Sequence, residues 1–534
     1  MGSLIQTILH LIPQAFQEWL TVLLFLFLVY TAKFYYFYFT RYSPLPGPFP
    51  LPLIGTIYLY YEDLGTLFFK LQKKYGGLFE LYNGPGRVIW VGDAQLIKKV
   101  HIPSTKTNFP FRSRKPWIDE ISINTIGKGI FFNHNLESWK YNRRILTQTV
   151  MLPSFLRQFL KTTEMIFNEF EEYMLNLQKV NNNKEVDLSK WVVRIQSELS
   201  SRTTTGKPAY TLSSYYNQRL NNIKVPKIQP SEELINRLRS WLINAQFIYF
   251  LPKYLRYCPP FYYFQWKHNK NIQWLDEYLT SLIINRKKEI ENTPKGETLG
   301  LDILTMLLCV NTERGQHLSR PGDEPDLPMD DDNLKQNLFD VIIASIDSSA
   351  HTTLITLYYI LKDPVIRSKV YEEVDKIFGN DRSRPMNYED LENSKYIEAC
   401  VSESLRLLPT VPALFKQAVD DDNLGDFKFR GGQEFFIHYH YVHHDETYWS
   451  DPGSFKPERF LDKNNIDKSR YLPFGGGIRI CPGRQMGLNT VKTIIALLFR
   501  KYTVDLVEPD APLKKVFVWA NECEELKVYL TPRN

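Results

Sequence analysis

Apolar and polar positions divide the chain near its N-terminus. From Trp19 to Phe39, 21 residues carry a single charge, Lys33. As a helix this run spans about 31 Å, enough to cross the hydrocarbon core of a bilayer. Tyrosines near its C-terminal end suit the membrane interface, and Lys33 can extend its ammonium toward the headgroups. A cleaved leader fits poorly: the run is long, no Lys or Arg precedes it, and no small-x-small site follows. Residues 1–18 lack Lys and Arg, whereas Arg41, Lys70, Lys73 and Lys74 follow the span, so the body is expected on the cytosolic side. From Ser43 to Gly55, closely spaced prolines forbid helix and impose an extended, semi-rigid connector. The expected organisation is a short lumenal segment (1–18), a transmembrane anchor (19–39), a proline-rich hinge (40–55) and one large body (56–534).

Within the body, Leu67 to Tyr75 has the spacing of an amphipathic helix, and Leu78 to Trp90 reads as two short strands around Asn83-Gly84-Pro85-Gly86. Polar or Pro-rich stretches at 181–183, 200–214 and 316–328 predict loops. The most informative element follows the last of these. Asp330, Asp331 and Asp332 complement a helix N-terminus, an apolar pattern runs from Leu334 to about Leu361, and Asp363-Pro364 ends it. Such a helix is about 42 Å long and would cross the whole body. Polar residues interrupt it midway, from Ser345 to His351, so its middle is hydrogen-bonded internally or faces a cavity. Later segments are mainly helical, and the fold class expected is mainly α with small β-sheets.

Composition narrows the function classes. With 534 residues, 43% of them apolar, the chain can bury a large core, which excludes a disordered protein. Five cysteines without a C-x-x-C pair support neither a disulfide framework nor a cysteine zinc site, and point to a reducing compartment. The net charge of +6 is spread thinly, without long like-charge blocks, so nucleic-acid binding gains no support. The 32 tyrosines and 34 phenylalanines favour a cavity for apolar ligands.

The sharpest chemical signal is F-G-G-G-I-R-I-C-P-G, Phe474 to Gly483, in which Phe474, Gly477, Arg479, Cys481 and Gly483 satisfy F-x-x-G-x-R-x-C-x-G. An exposed cysteine before a helix starting near Gln485 can lose its proton and ligate a soft metal centre, its thiolate favoured by the helix N-terminus. Gly477 and Gly483 are expected to permit backbone geometry that a side chain would block, and Arg479 to offer a fork for a carboxylate. The competing reading is a Gly-rich turn around an inert buried cysteine.

On these residues the chain resembles the cytochrome P450 family of haem-thiolate monooxygenases over nearly its whole length. The resemblance implies haem b as cofactor, with Cys481 as the thiolate ligand of its iron. Glu403-Ser404-Leu405-Arg406 matches the family's E-x-x-R and Pro457-Glu458-Arg459-Phe460 its P-E-R-F box, so Glu403, Arg406 and Arg459 are expected to pair. Trp139 and Arg143 match W-x-x-x-R, whose side chains contact a haem propionate. Where the family usually has another propionate-binding arginine this chain has Lys416, which keeps the charge and loses the bidentate fork. His438, His440, His443 and His444 could form a zinc cluster, or be hydrogen-bonded structural histidines; the resemblance places His444 and Trp449-Ser450-Asp451-Pro452 in structural positions.

The central helix departs from the family pattern: A-G-x-D-T-T becomes Ala344-Ser345-Ile346-Asp347-Ser348-Ser349. In the family the acid-alcohol pair delivers protons during oxygen activation, a role that falls here on Asp347 and Ser348. A serine bonding back to its own helix is the alternative. Phe109 to Phe132 corresponds to the family's variable lid. The resemblance implies a monooxygenase on the endoplasmic reticulum membrane, acting on an apolar lipid, sterol, terpenoid or xenobiotic with O2. Electrons are expected from an NADPH-dependent flavoprotein reductase, and nucleic acid is not an expected partner. An O2-independent isomerase or dehydratase of the same fold, and a non-catalytic haem-binding protein, are the alternatives.

Overall fold

A computed structural model describes residues 2–60, 63–104, 106–112, 128–221, 230–251, 253–259, 261–315, 328–379, 381–462 and 466–533. The chain begins as one helix, Gly2–Phe39, whose apolar part Glu18–Phe39 is 6% buried against the rest of the protein. The helix starts well before the apolar run, and its greasy surface is left uncovered by protein.

The proline-rich connector is extended, as its sequence requires, but it is also stapled down. Glu80, on the first strand, forms ion pairs with Arg41 at 2.7 Å and Arg87 at 2.5 Å, while Arg87 donates to the carbonyls of Tyr42 and Ser43. Gly47 lies so close to the Glu80 carbonyl that a Cβ there would sit 2.2 Å from its oxygen. The joint is therefore braced by a buried carboxylate and does not behave as a free hinge.

The first body elements fall where the pattern places them. Helix Leu64–Tyr75 is capped by the Asp63 side chain, and strands Leu78–Asn83 and Gly86–Val91 pair antiparallel around the glycine-containing turn. They form a four-stranded sheet with Glu434–His438, parallel to Gly86–Val91, and Ala413–Gln417 at the far edge. The remainder is helical apart from a sheet of Glu185–Asp187, Tyr502–Leu506 and Lys527–Pro532, a hairpin of Lys514–Val518 and Ala520–Glu525, and one shorter strand pair. The mainly α class with small sheets is borne out.

The central helix is Asp331–Lys362, with the Asp330 side chain accepting the Asn333 N–H at 2.7 Å. Asp363 ends it and caps the next helix, Pro364–Phe378, by accepting from Val365 and Ile366. Its C-terminal half, with Leu354, Ile355, Leu357 and Ile360 buried, lies in the main core beside helices Leu188–Thr205, Lys395–Leu407 and Arg484–Lys501. Each such side chain contributes about 1.5–3 kcal/mol on burial.

One expectation holds only in part. Of the polar stretch 200–214, residues 206–210 form the loop, but Ser200 to Thr205 complete helix Leu188–Thr205 and Thr211 to Ser214 open helix Thr211–Asn221. The hydroxyls are satisfied within the helix, Thr203 donating to the Leu199 carbonyl at 2.6 Å and Thr205 to that of Ser201 at 2.9 Å. Ser200 instead meets Ser345 of the central helix, Oγ to Oγ, at 2.8 Å. Small hydroxyl residues thus let two helices approach closely, a packing signal that resembles a loop when judged by polarity alone. Most of the expected loop at 316–328, and lid residues 113–127, lie outside the described residues.

Candidate active site

Three structural units converge around Cys481. The first is the loop itself, where a single 3-10 turn, Gly477–Arg479, precedes helix Arg484–Lys501. The Cys481 N–H donates to the Phe474 carbonyl at 3.0 Å, closing the loop, and the Phe474 ring packs on the main core. Gly477 has φ +66° with a would-be Cβ 3.2 Å from the His101 carbonyl oxygen, so a side chain there is strained and crowded, as expected. Gly483 is different: its φ is −85° and a Cβ would meet nothing within 4 Å. Nothing in this geometry requires glycine there.

Cys481 is also not the exposed thiol that the loop suggested. It lies deep in the protein with some accessible side-chain surface left, and burial pushes its pKa up. The Gly483 N–H and the positive charges of Arg143, Arg112 and Arg484 pull the other way without offsetting burial. A thiol in this setting favours its thiolate once a positive centre replaces the proton.

The second unit is the buried ion triad. Arg406 Nε and Nη2 each donate to a different Glu403 oxygen at 2.8 Å, and Arg459 Nε reaches Oε1 at 3.3 Å. Arg406 further donates to the carbonyls of His443, Pro452 and Ser454, while Glu403 accepts the Lys456 N–H. These bonds lash helix Lys395–Leu407 to the segment 443–459. From there His443 Nε2 accepts the Leu472 N–H at 2.9 Å, so the triad positions the strand of chain that enters the cysteine loop.

The third unit is a cluster of buried cations. Arg479 donates to the carbonyls of Pro110, Ile130 and Asn133 at 2.8–3.0 Å, and its guanidinium stacks 4.2 Å above the Trp139 ring. Its fork is thus spent on three backbone oxygens and not on a protein carboxylate. Burial, then Arg112 and Arg143, lower its pKa to about 8. Among the described residues Lys416 Nζ donates only to the Phe109 carbonyl, at 3.3 Å, and burial followed by Arg112 and Arg479 lowers its pKa to about 7. Arg143, one turn after Trp139, is depressed by burial too.

Arg112 completes the cluster, and sequence reasoning passed over it. It lies in F-R-S-R with no motif spacing, stacks 3.8 Å over Phe131, and finds no acceptor among the described residues for its buried Nε and Nη1. The nearby carboxylate, Asp340, is occupied with the N–H groups of Ile130 and Phe131 and with Gln336. Arg112, Arg143, Lys416 and Arg479 therefore gather with Asp340 as the one carboxylate charge acting on them, and none of the four pairs with a carboxylate among the described residues, an arrangement that fits a ligand bearing two carboxylates. The two propionates of haem have that charge.

This fit makes a test possible. Lys416→Met is expected to stabilise the haem-free protein by about 1–4 kcal/mol, because it removes a buried charge that repels its neighbours. Lysine's folded-state pKa is depressed from its ordinary 10.5 to about 7, so the penalty is full below pH 7 and fades as pH rises toward 10.5. The gain should accordingly shrink between pH 7 and pH 10 while haem affinity falls; urea denaturation and haem titration measure both. Destabilisation of the haem-free variant would contradict the assignment.

On the central helix, Ala344 is exposed in mid-helix and Asp347 and Ser348 retain partial exposure, so this stretch has a face that protein atoms leave uncovered. Ser348 Oγ donates to the Ala344 carbonyl at 2.5 Å. Ser345, which stands where the family has glycine, turns its hydroxyl toward Ser200 and leaves the groove at Ala344 open. Burial pushes Asp347 up to about 6. Phe132, Phe415, Tyr249 and Trp519 form one aromatic group, with ring centroids 5.3–6.2 Å apart. Phe109, assigned to the lid, is instead a core residue packed on Phe429 and Phe435.

The histidines do not gather as metal ligands. His440 Nε2 bonds to the Leu407 carbonyl, His444 Nδ1 to that of His440, and His438 faces Gln72, all held neutral by burial. No cluster of three or more metal-ligating side chains occurs among the described residues.

Comparison with known proteins agrees with this geometry. A family model described as cytochrome P450 matches residues 45–527. Tabersonine 3-oxygenase of Catharanthus roseus is 27% identical, covering 88% of each chain. Human steroid 17-alpha-hydroxylase/17,20 lyase is 27% identical over 86% of each, and cytochrome P450 3A15 of Cavia porcellus 25% identical over 93% of this chain and 92% of its own.

Proposed function

Since this chain belongs to the cytochrome P450 family of haem-thiolate monooxygenases acting on apolar substrates, we propose that Cys481 is its axial thiolate, that Arg112, Arg143, Lys416 and Arg479 with Trp139 hold the haem propionates, and that Asp347 and Ser348 manage protons on the opposite face. The observation that carries this reading is a cluster of four buried cations with one carboxylate, Asp340, near them, adjacent to a deep cysteine with accessible surface. Phe474, Gly477 and Gly483 shape the loop that presents the thiol. Bound haem supplies an iron centre at which O2 is activated with two added electrons, the thiolate's electron donation favouring O–O cleavage.

The remaining steps belong to the chain's own residues. The uncovered Ala344 surface, one turn before Ser348, is where an apolar substrate would lie. Asp347, with its pKa raised to about 6, can both hold and release a proton near neutrality. Ser348 now donates to Ala344; a rotation about χ1 would release that hydroxyl as a donor. The relatives named as oxygenases of tabersonine and of steroids support polycyclic apolar compounds as the first substrates to screen. The uncovered Glu18–Phe39 helix supports anchoring in a membrane; the membrane is assigned to the endoplasmic reticulum with the body in the cytosol because Lys and Arg follow the span and none precedes it, and the electrons to a separate NADPH-dependent flavoprotein reductase because the chain has no G-x-G-x-x-G loop.

With reductase, NADPH and a substrate that shifts the haem absorbance, the wild type should take up O2 and place one of its atoms in the product. Ser348→Ala is expected to keep haem but divert electrons to peroxide, with coupling reduced on the order of tenfold or more. Ser348→Thr should couple at least as well as wild type, because β-branching restrains the hydroxyl. Peroxide formed per NADPH decides between this and proton supply by another route, while turnover without O2 would favour the isomerase reading.

A further inference from the structure

At the C-terminal end of the uncovered stretch of the central helix lies a buried acid that no motif marks. Asp347, Ser348 and His351 follow Ala344 by three, four and seven residues, so all four share one helix face. Glu522, on strand Ala520–Glu525, meets the end of that face: its Oε2 lies 3.9 Å from His351 Nε2 and 3.6 Å from Arg239 Nη2. The Glu522 and His351 side chains are only 5% and 7% exposed. His351 Nδ1 accepts the Cys523 N–H at 3.1 Å, so the proton of its neutral ring is on Nε2, toward Glu522. Burial keeps that ring neutral, lowering its pKa to about 3, with Arg239 acting in the same direction.

Neither contact of Glu522 is a hydrogen bond, because both separations are too long for one. Among the described residues the Glu522 carboxyl and the Arg239 guanidinium have no hydrogen-bond partner elsewhere. The protein thus brings an acceptor and two donors together at one carboxylate oxygen and joins none of them by a hydrogen bond of its own. The frame that holds them is tied at a second point. Arg239 and Gln246 are seven residues apart on helix Pro230–Phe250, about 10 Å along its axis. Trp519 and Glu522 are three residues apart on the hairpin, again about 10 Å. Gln246 Oε1 accepts the Trp519 N–H at 3.2 Å, so helix and hairpin run side by side with matched spacing. Arg239 is thereby held beside Glu522 while 57% of its side chain stays exposed.

We propose that Glu522, Arg239 and His351 form a polar subsite that binds a hydroxyl group of an otherwise apolar substrate lying along Ala344 and Ser348. A hydroxyl fits because it donates to the carboxylate while accepting from the His351 Nε2–H or the guanidinium; an ammonium cannot accept and a carbonyl cannot donate. His351 is three residues beyond Ser348, about 4.5 Å along the helix axis, so the hydroxyl is anchored close to one turn from that serine. Glu522 then determines specificity. A skeleton without the hydroxyl takes water from the carboxylate and returns no donor, and is selected against. That the bound molecule is oxidised rests on the function proposed above, whereas binding of the hydroxyl does not.

Calorimetric titration of the full-length haem-loaded protein reads the subsite directly at pH 8, above the value of about 7 to which burial, and then Asp347, raise Glu522. The probes are decalin, adamantane and androstane, each with its alcohol and its ketone. At least one alcohol should bind on the order of tenfold or more tighter than the ketone and the hydrocarbon of its own skeleton. Glu522→Leu should erase the alcohol's advantage over the ketone, and Glu522→Gln, which keeps an acceptor oxygen, should restore part of it. Affinities that ignore the hydroxyl in all three skeletons, failure of every alcohol to bind, or an advantage that survives Glu522→Leu overturns the subsite. Haem absorbance followed in the same titrations separates the subsite from the function reading. A Glu522-dependent preference for the alcohol without any change in that absorbance upholds the subsite and counts against oxidation at the haem. A shift produced equally by hydrocarbon, ketone and alcohol upholds the function reading and sinks the subsite.

Discussion

Arg406→Ala is expected to lower the free energy of unfolding by about 3–5 kcal/mol and to leave little protein able to retain haem, the cost found when one partner of a buried ion pair is removed. Both side chains of the Glu403–Arg406 pair are fully buried, so the stranded carboxylate has no access to water. Arg459, at 3.3 Å, reaches only one of its oxygens, and three backbone carbonyls at His443, Pro452 and Ser454 lose their donor together. Because this segment leads into the cysteine loop, the damage should reach the cofactor site. Urea denaturation monitored by fluorescence, together with haem content after purification, checks both effects. Arg406→Lys should recover only part, since an ammonium cannot reproduce the two-pronged contact. Wild-type stability in Arg406→Ala would show that the triad is dispensable.

What the sequence revealed and what it concealed have a common physical explanation. Glu403, Arg406 and Cys481 were legible because each belongs to a short spacing that one helix turn or one loop converts into geometry. The central helix was legible from Asp330 to Lys362 because cap, apolar period and stop agree. Arg112 was not, since its partners arrive from residues 143, 416 and 479, and only tertiary folding brings those charges together. The stretch 200–205 misled because polarity was taken for solvent exposure, whereas its hydroxyls bond to carbonyls one turn back. Arg479 misled in a different way, as its fork met backbone carbonyls where a carboxylate was expected.

The corrections change how the site is understood. An exposed, easily ionised Cys481 would be a reactive surface thiol. The observed one is deep, raised by burial, and surrounded by Arg143, Arg112 and Arg484, so its ionisation and its cation are coupled. In the same way, Lys416 is more than a weakened copy of an arginine. Its charge is held where burial disfavours it, which makes it a source of strain in the haem-free protein and of attraction toward a dianionic ligand. On the function proposed above, haem propionates would offset the cost of these buried cations.

The central claim is that Cys481 supplies the thiolate, and the second large effect follows from it: Cys481→Ala should abolish thiolate ligation altogether while leaving the fold intact. The other cysteines cannot substitute, because Cys309, Cys400 and Cys523 are buried elsewhere and Cys258 is exposed at a distant surface turn. The measurement is the carbon-monoxide difference spectrum of the reduced, full-length protein. Wild type should show the long-wavelength band diagnostic of thiolate ligation, and Cys481→Ala should lack it at matched haem content. The same band in Cys481→Ala would remove Cys481 from its role and contradict the account.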